Sequence, residues 1–267
     1  MDARAGLQSQ RGEPDRALAI LEAVRPVVEA RGSPARVCTF YQILAQARVM
    51  KNRWRVDETD IANVRRSLAA AVESGDEKEI GYATFFVGRL FMLHDDLAEA
   101  QQYLERALAI AERVGESLLL EDSLTGLAHT ALRRHDVAAV RDLAPKMTAA
   151  AAAFGPWHRA NLLACLVWLA WQEDRPADVI RLSGQIAELD AELSFGWVYL
   201  CPLLAVRLAE DDTAAAVAVA RQLLDSGYRP PDEIEAALQA AVVQGSPEAA
   251  REALAGALAL AREYGYC

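Results

Sequence analysis

The segment Ala107-Leu-Ala-Ile-Ala-Glu-Arg-Val-Gly115 returns as Ala257-Leu-Ala-Leu-Ala-Arg-Glu-Tyr-Gly265, 150 positions later, and weaker copies lie before and between. Ala, Leu, Glu and Arg carry the smallest helix penalties. In both copies a Gly closes the phrase, and Gly is the residue that best tolerates the left-handed backbone of a helix end. A chain that rewrites one helical phrase is a helical repeat. Each unit is a supersecondary element that cannot bury its apolar face alone and must stack on its neighbours.

The clearest unit runs from Lys78 to Gly115: a helix to Leu93, a turn at His94-Asp95-Asp96, and a second helix from Leu97. Thr84, Val87, Gly88 and Phe91 share one face of the first helix, and Ala100, Leu104 and Ala107 one face of the second. Gly88 and Ala100 let two antiparallel helices approach closely while the larger residues fill the space beside them. This spacing resembles the tetratricopeptide repeat, with small residues twelve apart and a large and a small residue four and seven further on. Thr84 stands where that family usually places a large aromatic. The resemblance implies an all-α fold, a right-handed α-α superhelix (a TPR-like solenoid).

The same grammar continues along the chain. Leu124, Leu127 and Ala128 precede the turn Arg134-His135-Asp136, followed by Val140, Ala144 and Met147. Leu163 and Val167 precede Glu173-Asp174-Arg175-Pro176, with Val179 beyond. Further turns fall at Glu210-Asp211-Asp212 and Gln244-Gly245-Ser246-Pro247, the last followed by Ala250, Leu254 and Ala257. Upstream, Arg11-Gly12-Glu13-Pro14-Asp15 is a turn with Ala17 and Leu21 behind it, and a pair spanning Ala35 to Gly75 is stretched by the insertion Asn52–Asp60. From Asp95 on, turns lie 37 to 41 residues apart until a shorter last interval. The plain motif repeats at about 34 residues, so longer helices and a looser superhelix are expected. Gly75, Gly115, Gly155 and Gly265 read as helix ends, and His94 and His135 as matching turn positions. The sum is about fourteen helices in about seven antiparallel pairs, the first helix short, forming one continuous domain over residues 1–267. Met1 precedes the first turn by only a few residues, without the polar capping helix that a terminal repeat needs, which fits a piece of a longer polypeptide.

Composition agrees with a packed protein: 53% of residues are hydrophobic and 25% charged. No signal-like or membrane-length apolar run occurs, so a soluble, cytoplasmic protein is expected. Cys38, Cys165, Cys201 and Cys267 show no paired metal-ligand spacing. Net charge is −10, spread unevenly: residues 1–75 carry 12 Lys/Arg against 9 Asp/Glu, and the remainder 16 against 29. An acidic body argues against direct nucleic-acid binding, which rests on basic side chains neutralising phosphates. The basic cluster Arg48, Lys51, Arg53, Arg55, Arg65 and Arg66 reads as a solvated helix end, with an acidic partner as the alternative.

A narrower likeness rests on Leu104–Gly115, on Leu223-Leu-Asp-Ser-Gly227 with Pro231–Leu238, and on the ending Ala257–Tyr266. These phrases resemble the C-terminal helical repeat regions of large bacterial signalling ATPases, which often carry LuxR-type DNA-binding domains. The resemblance implies signal transduction or transcriptional regulation. Neither a phosphate loop nor a separable helix-turn-helix is present, so it implies the partner- or effector-binding arm alone.

In tetratricopeptide arrays the first helix of each pair lines the concave groove. By that resemblance the groove positions are Gln42 and Gln46; Tyr82, Phe85 and Arg89; Asp122, His129 and Arg133; and Asn161, Trp168 and Trp171. Aromatics beside Arg are the stuff of binding hot spots, although aromatics on so apolar a helix as Leu162–Trp171 also serve to pack repeats. The expected function is a non-catalytic scaffold that holds a protein or peptide in its groove. The alternatives are a sensor closing its aromatic middle on a small-molecule effector, and an oligomerisation module forming a homodimer through the open end near residues 1–15. A His129–Asp122 pair at helical spacing lacks a nucleophile, and the acidic runs lack the ligand alternation of a calcium loop. No enzyme, cofactor or metal site is expected.

Overall fold

The computed structural model describes residues 14–151, 154–189, 195–226, 230–244 and 246–266. Among these, the regular elements are all helices: α1 (Pro14–Arg31), α2 (Pro34–Lys51), α3 (Glu58–Ser74), α4 (Glu77–Leu93), α5 (Leu97–Val114), α6 (Ser117–Arg133), α7 (Val137–Ala151), α8 (Pro156–Gln172), α9 (Pro176–Ala187), α10 (Trp197–Ala209), α11 (Thr213–Asp225), α12 (Asp232–Val243) and α13 (Pro247–Glu263). The bounds read from sequence for Lys78–Gly115 recur in α4 and α5. The short helix expected before Arg11, most of the open end near residues 1–15, Gly245 and Cys267 lie outside the described residues.

The turns explain the punctuation. Trp54 N–H donates to the Val49 carbonyl, Asp96 to Phe91, Asp136 to Ala131, Arg175 to Ala170 and Asp212 to Arg207, all at 2.7–3.0 Å. This six-to-one bond is the Schellman closure of a helix end, and it requires a left-handed residue just before the donor. Asp95, His135, Asp174 and Asp211 occupy that position with φ of 72, 54, 53 and 59°. Asp and His are among the few non-glycine residues that visit this region readily. The structural match of His135 is therefore Asp95, not His94, which is a right-handed cap residue with φ −80°. Gly155 departs from the expected helix end as well: with φ −77° it stands at the N-cap of α8.

Several helix starts are fixed by side-chain oxygens that accept from the amide three residues on: Ser33 from Arg36, Asp57 from Asp60, Asp76 from Glu79, Asp136 from Ala139, Asp212 from Ala215 and Ser246 from Ala249. Such caps satisfy amides that the helix itself leaves without a partner. Helices are long through α8, at 15 to 18 residues, but α9 to α12 have only 12 or 13. There the long repeat period is taken up by connections instead.

Two compact units result, Met1–Leu127 and Ala128–Cys267, with the division inside α6. In the first, α1 packs on α2, α2 on α3, α3 on α4 and α4 on α5, and α2 also reaches α4. In the second, each helix from α7 to α13 packs on the next; α10 also meets α8 and α13, and α11 meets α13. The architecture is a helical repeat-like succession compatible with a TPR-like fold. The repeat core positions Val87, Ala100, Leu104, Ala107, Val140, Met147, Val167, Val179, Leu254 and Ala257 are all buried. Thr84 is fully buried too, and its hydroxyl donates to the Ile80 carbonyl at 2.6 Å, so the smaller side chain leaves no unmet polar group.

Gly88 is the close-approach point of α4 and α5. A Cβ there would sit 2.8 Å from Leu104 Cγ and 3.1 Å from the Leu104 amide nitrogen. Gly256, exposed on α13, would present a Cβ to open space. Gly88→Ala is therefore expected to lower stability by about 1–3 kcal/mol through overpacking, and Gly256→Ala to raise it by about 0.4–1 kcal/mol through the unfolded chain. Urea midpoints that move the same way for both variants would contradict this packing.

Candidate functional site

In the first unit the expected groove residues stand on α2, α4 and α6. Tyr82 and Phe85 are buried in the packing of α4, at 8% and 7% exposure. Tyr82 donates its hydroxyl to Glu116 at 3.0 Å, and Lys78 pairs with the same carboxylate at 2.5 Å. Arg89 is half-buried, with its guanidinium 4.9 Å above the Trp54 ring. Burial pulls the Arg89 pKa below the usual guanidinium range, and the charge of Asp122 opposes that fall. Asp122, Gln42 and Gln46 are each half-buried. Trp54, Lys78 and Glu116 were not legible as site residues. Trp54 belongs to the Asn52–Asp60 insertion, where Arg53 and Trp54 both take left-handed φ, 49 and 68°. Two such residues in succession are costly, and together they deliver the indole to Arg89.

The basic cluster is largely internally matched. Arg48 donates to Asp60 at 2.5 Å and Asp57 at 2.8 Å, Lys51 pairs with Asp15 at 2.6 Å, and Arg66 reaches Glu29 at 3.9 Å and the Tyr41 hydroxyl at 3.0 Å. Arg65 lies over Phe91, 5.2 Å from the centroid. Asp60 is fully buried, and its burial pushes its pKa up against the pull of Arg48. Its second oxygen accepts from the Asp57 amide, completing a capping box at the start of α3.

In the second unit the expected positions divide again. Trp168 is 1% exposed and belongs to the core. Asn161 is buried and donates to the Trp157 carbonyl at 3.1 Å, a bond within its own helix. His129 is buried with its ring edge-on to Phe195, centroids 5.0 Å apart. Arg133 and Trp171 are half-buried, and both meet the end of α13. The Arg133 guanidinium lies 4.6 Å from the Tyr266 centroid, and Arg262 lies 5.9 Å from that of Trp171. Tyr266 also packs edge-on against Trp197, centroids 5.0 Å apart. Behind that pair α10 to α13 enclose an apolar cleft lined by Trp197, Cys201, Leu223, Ile234 and Leu258.

Within the described residues no helix is long and apolar enough to cross a membrane. No family model matches the chain, and no curated protein matches it. The functional reading therefore rests on the residues themselves.

Arg48 and Asp60 provide a check on the electrostatics of the first unit. Arg48→Met leaves a buried carboxylate without its main counter-charge and is expected to cost about 3 kcal/mol. The double variant Arg48→Met/Asp60→Asn removes the orphaned charge but keeps the cap acceptor, and should regain more than half of that loss. Equal stabilities of single and double variants in denaturant titrations would contradict the assignment.

Proposed function

We propose that the chain is a non-catalytic peptide- or protein-binding module. It works through the first-helix face of a right-handed tetratricopeptide-like array, as the regulatory arm of a signalling protein of the kind its phrases resemble. The observation that carries this reading is the set Trp54, Arg89 and Asp122, with Gln42 and Gln46 on the helix packed against α4. Tyr82 and Phe85 serve this face as its packed foundation. Arg89 has already lost much of its hydration and is held over an indole, so a peptide carbonyl or carboxylate meets it with little further desolvation or ordering. Arg and Trp at one partly dry spot have the composition of a hot spot. The amides of Gln42 and Gln46 supply both donors and acceptors, the complement of an extended peptide backbone.

Selection of peptides from a random library on the purified chain tests this. Selected peptides are expected to lose about tenfold or more in affinity on Arg89→Gln, a change of about 1.4 kcal/mol, with helicity by circular dichroism unchanged. Peptides that bind the variant as tightly as the natural chain would move the site elsewhere.

One observation favours assembly as a second reading. On α1, Ile20, Val24 and Val27 are 51%, 41% and 62% exposed at positions i, i+4 and i+7, forming one apolar stripe. In this reading the stripe meets a second copy of the chain. Mass by light scattering should then rise with concentration for the natural chain and stay monomeric for Val27→Asp; a monomer at every concentration for both removes this reading.

A further inference from the structure

The residues that follow α13 make an unusual set of contacts for so short a segment. Gly265 takes φ 71°, and the Tyr266 amide closes the turn onto the Ala261 carbonyl at 2.7 Å. A Cβ on Gly265 would lie 3.2 Å from the Arg133 carbonyl oxygen, so the turn rests directly on the end of α6. Arg133 then engages it with its side chain: Nη2 donates to the Tyr264 carbonyl at 3.5 Å, and the guanidinium stacks on the Tyr266 ring. Trp197 meets that ring edge-on, and one helical turn upstream Arg262 lies over Trp171. Arg133 and Trp171 are two positions expected for a peptide groove. Tyr264 itself points outward, 41% exposed.

We propose that the face formed by Arg133, Trp171 and Trp197 is a receptor for a peptide turn of the type Arg-x-x-Gly-aromatic, and that residues 262–266 occupy it in cis as a built-in competitor. The inference rests on the reading of this chain as a peptide-binding array and adds a second face with its own regulation. Recognition has three parts. The guanidinium of Arg133 takes an aromatic ring and the carbonyl two residues before it. Only Gly fits between them, because the backbone is left-handed there and touches Arg133. The indole of Trp171 takes a cation four residues before the final aromatic. A trans peptide of this chemistry finds its site already filled, so its apparent affinity is reduced by the fraction of time the cis turn is docked. The hydrogen bond at 3.5 Å and the two cation–π pairs are individually weak interactions, of a size that a competing segment can match.

The test uses the full chain and a peptide of residues 260–266, amidated at its C-terminus and labelled with fluorescein at its N-terminus. Fluorescence anisotropy is read on the natural chain, on Tyr266→Ala, and on Gly265→Val, which denies the left-handed turn but keeps the aromatic ring. Both variants should bind the peptide about tenfold or more tightly than the natural chain, and adding Arg133→Ala to either should abolish that gain. Variants that melt cooperatively with natural helicity yet bind no better than the natural chain overturn the proposal. So does loss of the fold in both, because the turn is then part of the core rather than a ligand. Either failure leaves the Arg89 face untouched, since library-selected peptides read that face independently.

Discussion

One left-handed residue, locked by a six-to-one hydrogen bond, stands between the two helices of pair after pair. Everything else in the packing follows from that turn. It ends one helix and reverses the chain within two or three residues, leaving the next helix no direction but back along the first. Antiparallel contact over a full helix length then demands small residues where the axes come closest. Gly88 against Leu104, and Ala100 fully buried beside them, are the residues that meet this demand between α4 and α5. The turn also restricts its own sequence. Asp95, His135, Asp174 and Asp211 are tolerable where a β-branched residue would be strained.

That locality decides what could be read in advance. The bounds of α4 and α5 and the buried pattern Ala100, Leu104, Ala107 were legible because capping, turn chemistry and the helical period act within a few residues of each other. His94 and His135 match by residue identity alone, whereas the hydrogen-bond register of the turns matches His135 with Asp95. The contacts of the faces were not legible at all. Arg89 meets Trp54 and Arg133 meets Tyr266 across long stretches of chain, and nothing local to either Arg announces its partner. Whether Tyr82, Phe85 and Trp168 face a groove or pack was left open by the sequence, since a groove face and an inter-repeat face share one helical periodicity; they pack.

The resulting division of labour is physical. Large rings gain most when fully removed from water, so this chain spends Phe85 and Trp168 on its own core. Among the partly exposed residues of the faces are Asp122, Gln42 and Gln46, with Arg89 over an indole and Arg133 over a phenol ring. Such faces gain orientation and specificity more than bulk hydrophobic energy. The basic residues near the N-terminal end show the same economy. Arg48, Lys51 and Arg66 are matched by carboxylates within the unit.

The two copies of the repeated phrase carry this argument to its end. In the first, the amide after Gly115 closes onto the Ala111 carbonyl, and that residue, Glu116, ties Tyr82 and Lys78 to the turn. In the second, the amide after Gly265 closes onto Ala261, and that residue, Tyr266, is held by Arg133 and Trp197. The backbone device is the same at both places. Only the side chain delivered by it differs, a carboxylate in one copy and a phenol in the other. The first serves the base of α4 with a charged hydrogen bond. The second presents a ring to an Arg, the chemistry by which a binding face takes hold of a foreign peptide. A repeat that reuses one turn to place different side chains can thus turn a helix end into a structural clasp or into a ligand, with a single residue setting which.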